Sequence, residues 1–318
     1  MSREKLNAIY SRPGMRRYEV WFLRLGLADG SGAWWFRYLL RNRGRASSGD
    51  QAELKPVQVW ATWFPRGRTP QFFREGFDEA EVSLSEARSS PFHFAAGENH
   101  IDENSCCGHL TCGGKEVRWA LRYRSNFGTT MSDKGWIGFS RTPHSNAVFS
   151  GEIAFDGKVS HGESLGYGLQ GHNCGYRYRR MWTWAHCVFP EAKGGGPTSF
   201  EALEYEMPLG MRFQKAVLWT GARQHVFRKW EVAERKRETL RWKFTARNRE
   251  EKIWLEMHVD GAGASLYRLP YLKTDGRTTF EVSNNSLARA KIMVRYPGEP
   301  ETELVTDSGA VVEMAGGK

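Results

Sequence analysis

The stretch that decides the reading is Tyr167–Pro190, YGLQGHNCGYRYRRMWTWAHCVFP. Glycines space a short polar segment holding His172, Asn173 and Cys174, a basic patch of Arg177, Arg179 and Arg180 follows, and an aromatic run with Trp182 and Trp184 comes last. On an extended backbone side chains alternate, so Trp182, Trp184 and His186 share one face while Met181, Thr183, Ala185 and Cys187 share the other. Polar groups leading into a tryptophan-rich strand are the sequence form of a largely apolar pocket with a few placed polar groups. Gly171 and Gly175 let the backbone between them approach a neighbour or ligand closely, so His172–Asn173 is expected to enter the pocket from a turn.

Outward from this stretch the chain reads as strands. Tyr18–Leu27, YEVWFLRLGL, and Ala33–Arg41, AWWFRYLLR, are joined through DGSG and read as a hairpin. Glu19 shares strand parity with Trp21, and Arg37 with Trp35, so Glu19 and Arg37 are expected to face inward and pair. Val57–Phe64 and Glu116–Tyr123 follow, the latter with Val117, Trp119, Leu121 and Tyr123 in and Arg118 and Arg122 out. Gly151–Asp156 and Lys158–Ser160 form a hairpin around Asp156–Gly157. Beyond a glycine-rich break at Lys193–Pro197, the second half repeats the style, with Leu240, Trp242 and Phe244 on one face and Ile253, Leu255, Met257 and Val259 on another. Many short strands with almost no helical period mean an all-β barrel or sandwich, and 318 residues exceed one core, so two units are expected, 1–192 and 193–318.

Composition narrows the classes. Aromatic residues make up 13% of the chain, with 13 Trp, which requires packed cores. The formal charge of +10 is spread without a dense Lys/Arg block or a nucleic-acid motif, so it reads as a solvated basic surface with no nucleic-acid partner. The five cysteines form no disulfide framework, the first twelve residues carry no apolar signal core, and no apolar run approaches the ~20 residues of a membrane helix. A reduced, cytoplasmic setting is expected, with peripheral membrane contact left open and the oligomeric state unspecified. Cys106, Cys107, His109 and Cys112 supply zinc-type ligands but only one half-site, and His172, Cys174 and His186 form no spaced set, so no metal is expected. The absence of a nucleophile triad order, a P-loop or a dinucleotide fingerprint removes hydrolase, kinase and dehydrogenase classes.

Phe149–Phe189 resembles the tocopherol cyclase and carotenoid 1,2-hydratase group, whose members carry two lipocalin-like (calycin) β domains in tandem. That group shows a strand, an acidic-Gly turn, a strand, EKNWG or DHNWG, a basic-aromatic link and a Trp-rich strand. SGEIAFDGKVSHGESLGYGLQGHNCG followed by RRMWTWAHCVF keeps this order. Asn173, Gly175, Trp182, Trp184, Cys187 and Phe189 match, and His172 matches the hydratase form. Gly171 stands where the group has an acid, and Cys174 where it has Trp. Weaker likeness extends over the opening hairpin, Lys115–Arg122, Arg241–Val259 and Thr306–Gly317.

The resemblance implies a cofactor-independent cyclase or hydratase, or a pericyclic ring closure, on a hydrophobic prenylated or polyene substrate. Such chemistry needs a carboxylic acid kept neutral by apolar surroundings and aromatic faces against a carbocation. With Gly171 in the place of the acid, His172 and Asn173 are the expected polar groups of the site, and Glu163 and Glu19 the candidate replacement acids. Trp182, Trp184, His186, Trp21, Trp35, Arg37 and Tyr167 are the expected ligand-binding residues. The rival is a non-catalytic carrier of a hydrophobic molecule, which the same fold supports. A proton donor facing the cavity separates the two.

Overall fold

The computed structural model describes residues 3–44, 51, 54–89, 91–190, 197–221 and 223–316. It is built from strands, with short 3-10 turns at Arg3–Leu6, Glu79–Glu81, Gly135–Ile137 and Pro208–Gly210. Among the described residues no helix is long and apolar enough to cross a membrane.

The first sheet comprises β1 (Tyr18–Leu27), β2 (Gly32–Arg41), β3 (Val57–Pro65), β4 (Gln71–Phe77), β5 (Val82–Leu84), β6 (His93–Ala96), β7 (Asn99–Asp102), β8 (Ser105–Cys112), β9 (Lys115–Arg124), β10 (Thr129–Asp133), β11 (Gly138–Phe155) and β12 (Lys158–Gly175). The second comprises β13 (Trp182–Phe189), β14 (Thr198–Glu206), β15 (Arg212–Trp219), β16 (Gln224–Phe227), β17 (Trp230–Lys236), β18 (Arg241–Asn248), β19 (Ile253–Asp260), β20 (Tyr267–Leu272), β21 (Thr279–Arg295) and β22 (Thr302–Ala315). Each is an antiparallel meander whose first strand returns to pair with its last, β1 with β12 and β13 with β22. The chain leaves the first sheet after Gly175 and joins the second at Trp182, so the tryptophan strand is hydrogen-bonded into the second sheet. The junction expected at 192/193 lies outside the described residues.

Each sheet curls around its own core. β9 alternates as its sequence dictates, Val117, Trp119, Leu121 and Tyr123 buried between exposed residues, most of them charged. β19 does the same with Ile253, Leu255, Met257 and Val259. Asp156 and Gly157, both at positive φ, close the long β11–β12 hairpin. Such a two-residue turn matches the right-handed twist of its strands.

Where the sheets meet, alternation gives way to burial on both faces. Every residue of β2 is buried: Trp34, Phe36, Tyr38 and Leu40 fill the first core, while Ala33, Trp35, Arg37 and Leu39 face the other sheet. β13 and β14 are likewise buried on both faces. The seam between sheets is held by Phe127 stacked on Trp219 at 4.5 Å, by the Ser132–Tyr205 hydroxyl pair at 2.9 Å, and by Lys215 Nζ donating to the Thr130 carbonyl at 2.6 Å. Arg24, 1% exposed, reaches from β1 to donate to the carbonyls of Ser286 and Ser308 at 2.7 and 2.5 Å.

Candidate functional site

The central segment forms part of the long strand β12 rather than a turn. Its glycines answer to rings on β1: a Cβ on Gly171 would meet the Phe22 ring at 2.2 Å, and one on Gly175 would meet Tyr18 at 2.9 Å. An acidic side chain at 171 has no room. Strand alternation then sends His172 and Asn173 to opposite faces.

His172 points into the first core. Its Nδ1 donates to the Leu6 carbonyl at 2.7 Å and its Nε2 meets Glu19 Oε1 at 2.9 Å, both side chains fully buried. Glu19 also accepts the backbone N–H groups of Tyr10 and Ser11 at 2.7 Å each. The ring stacks on Trp21 at 4.7 Å, and the Trp21 indole N–H is spent on the Asn7 carbonyl. These groups clamp the N-terminal segment over the barrel. The expected pairing of Glu19 with Arg37 does not form. In the β1–β2 register Glu19 lies opposite Leu40 and Arg37 opposite Phe22, so paired residues have numbers of opposite parity. Glu19 and Arg37, both odd, therefore face opposite sides of the sheet. Both are buried, in different places.

Asn173 faces the second sheet and lines a cavity of about 110 Å³ between the two. Trp35 and Arg37 from β2, Trp182 and Trp184 from β13, Tyr271 from β20 and Glu313 from β22 share it, with Arg177 and Arg179 of the link. Phe22 and Trp35 stack at 5.5 Å, and Trp184 meets both edge-on at 6.0 Å, giving one aromatic wall. Arg37 lies between the rings of Trp60 and Tyr271, 4.6 and 4.2 Å from their centroids.

The carboxyl of Glu313 is the acid of this pocket, and sequence reading missed it. It sits in β22 opposite Trp184 on one side and Asn284 on the other. Oε1 accepts the Trp182 indole N–H at 2.9 Å, and Oε2 accepts Tyr271 OH at 3.3 Å and Asn284 Nδ2 at 3.4 Å. Burial raises its pKa, against the opposing pull of Arg37 and of these donors. Its only sequence signal is a carboxylate on the face of AVVEMA whose neighbours, Val311 and Ala315, are apolar.

A second buried acid, Glu201 on β14, stands behind the wall. Its Oε1 accepts Trp184 Nε1 and Thr142 Oγ1, each at 2.9 Å, and Oε2 has no partner. Burial raises its pKa to about 7. His186, on the Trp182–Trp184 face, is deeper in the seam, with Nε2 2.7 Å from the Ser145 carbonyl, and burial lowers its pKa to about 3. Glu163 is exposed on the far half of β12, and Tyr167 is half-buried with its carbonyl accepting from Arg24 at 3.3 Å. Neither lines the cavity. Of the expected residues the structure thus brings together Asn173, Trp182, Trp184, Trp35 and Arg37, and sets apart His172, Glu19, Trp21, His186, Glu163 and Tyr167. On β8, alternation separates Cys106 and Cys112 from Cys107 and His109, and among the described residues no three metal-ligating side chains gather.

Two curled antiparallel sheets, each with its own core and a shared pocket, define an all-β protein of two lipocalin-like units. No protein-family model matches the sequence, and no curated protein matches it. Among solved structures, kievitone hydratase from Nectria haematococca aligns at a TM-score of 0.58 and 10% identity, over 98% of this chain and 94% of that one. A protein assigned as AttH from Nitrosomonas europaea aligns at 0.50 and 9% identity, over 96% of this chain and 94% of its own. At such identity the likeness is one of fold.

Proposed function

We propose that the chain is a cofactor-independent hydratase or cyclase for a hydrophobic prenylated or polyene substrate, bound between the sheets with Glu313 as proton donor. The observation that carries this reading is a buried carboxyl facing an aromatic-walled pocket, because a mere carrier has no use for a desolvated acid. The alignment with kievitone hydratase, a hydratase by name, is consistent with the reaction class.

The chemistry follows from the placement. Protonated Glu313 gives its proton to one alkene carbon, forming a C–H bond and leaving a carbocation on the other carbon. The faces of Trp35, Trp182 and Trp184 stabilise that cation by cation–π attraction, of order ~2 kcal/mol when desolvated. Water attacks the cation to form the C–O bond, and its surplus proton returns to the Glu313 carboxylate. An internal hydroxyl attacking in place of water gives ring closure, with the same return of the proton. Trp182, Tyr271 and Asn284 hold the carboxyl in position and donate to it as it becomes an anion.

Native mass spectrometry of protein purified from its own host, beside Trp184→Arg, tests occupancy. A co-purifying hydrophobic molecule lost on filling the pocket supports the reading. The same molecule retained by Trp184→Arg places ligand elsewhere and overturns it.

A further inference from the structure

The walls of the pocket contain polar atoms that nothing in the protein satisfies. Trp35 and Arg37 occupy alternate positions of β2, on its pocket face, and each is 4% exposed. Trp35 Nε1 and Arg37 Nη1 are buried without a hydrogen-bond partner. Both atoms only donate. A buried donor left unpaired costs about 1–3 kcal/mol, and folded proteins leave few of them. The cation–π sandwich between Trp60 and Tyr271 fixes the guanidinium in place, and among the described residues Arg37 makes no ion pair. Arg177 and Arg179 line the same cavity, leaning over the rings of Tyr176 and Tyr205 at 5.4 and 4.5 Å. Three guanidinium groups and one carboxyl make the pocket positive. On the same sheet face, two strands away on β12, Asn173 Oδ1 is a buried acceptor without a partner.

We propose that the substrate carries a carboxylate, one oxygen of which docks on Arg37 Nη1 and Trp35 Nε1 while its apolar chain lies against the tryptophan wall. This rests on the pocket being the substrate site, and it names the substrate class: an amphipathic unsaturated acid, not a neutral hydrocarbon. Asn173 Oδ1 is left to accept from a hydroxyl, such as that of the attacking water. Docking has a chemical consequence. Arg37 is the charge that most favours the ionised form of Glu313, and a bound carboxylate offsets it. Glu313, whose pKa burial already raises, therefore holds its proton more firmly once the substrate is seated.

The test is fluorescence titration with cis-parinaric acid, a polyene carboxylate, and with its methyl ester, above the pH at which the free acid ionises. The acid is expected to bind at least about tenfold more tightly than the ester, the factor expected of one hydrogen bond to a charged group. Arg37→Met should bring the acid down to the ester's affinity. Trp35→Phe, which keeps the aromatic wall and removes only the donor, should cut the preference by about threefold. It decides the matter if Arg37→Met does not fold. Equal binding of acid and ester, both abolished by Trp184→Arg, overturns the carboxylate while leaving the pocket as the ligand site. Binding of neither overturns both readings.

Discussion

His172→Ala tests whether the most conspicuous residue of the sequence serves the pocket or the frame. The substitution removes the ring from between Trp21 and Phe139, which it meets at 4.7 and 4.9 Å. It also removes the 2.9 Å contact to Glu19 and the 2.7 Å bond to the Leu6 carbonyl. Glu19 is left fully buried, with only the N–H groups of Tyr10 and Ser11 as partners. Deleting one member of a buried, hydrogen-bonded pair and leaving the other's carboxyl buried costs about 3–5 kcal/mol, and the cavity falls within that range rather than adding its full value, since the N-terminal segment can partly collapse into it. Equilibrium denaturation should show this loss. Limited proteolysis should find Leu6–Ser11 newly cleavable, because that segment hangs on the pair. Ligand affinity per folded molecule should stay within about twofold, since the ring faces away from the cavity. A stability loss below about 1 kcal/mol together with lost binding would refute the assignment, because only a residue that mainly serves function behaves so.

Arg24→Met should cost about 2–4 kcal/mol by leaving the Ser286 and Ser308 carbonyls unpaired in the seam. Denaturation should then split into two transitions as the sheets uncouple; one transition at the parental midpoint would show that the seam does not depend on it. Glu201 keeps its proton in the folded state up to about pH 7, where the unfolded chain has lost it near 4.5. Its contribution is therefore full below pH 4.5 and is lost as pH rises through 7, about 3 kcal/mol in all by linkage. His186 acts oppositely: lowered from 6.5 to about 3, it contributes fully above pH 6.5 and loses that contribution as pH falls. Between pH 4.5 and 6.5 the two slopes offset. Stability of Glu201→Gln should consequently rise with pH across this window relative to the parent, and a constant difference between the two proteins would contradict the buried, protonated Glu201.

The strands were legible where one face meets water. EVRWALRY and IWLEMHV alternate because each covers a core with one side only, and Asp156–Gly157 marks its hairpin by backbone chemistry alone. What the sequence did not reveal lies where both faces are buried. Glu19 and Arg37 share parity, yet the hairpin register turns them to opposite sides, and register is a property of the pair of strands. His172 and Asn173 could be separated by alternation, but which side is core and which is pocket depends on the second sheet. Trp182, Trp184 and His186 do share the face turned to the first sheet. Glu313 was hidden because AVVEMA reads as an ordinary half-exposed strand, and only the arrival of Trp182, Tyr271 and Asn284 from three other strands makes its carboxyl a site.

The central claim is that Glu313 delivers a proton to an alkene in the pocket. The direct measurement is turnover in deuterium oxide of an unsaturated, prenylated acid that the wild-type protein converts, followed by mass spectrometry and NMR of the product. Wild-type protein should place one deuterium on the former alkene carbon. Glu313→Gln should fold and bind like the parent while turnover falls by about 10²-fold or more, as for loss of a positioned general acid. Glu313→Gln that retains wild-type turnover and deuterium incorporation would contradict it.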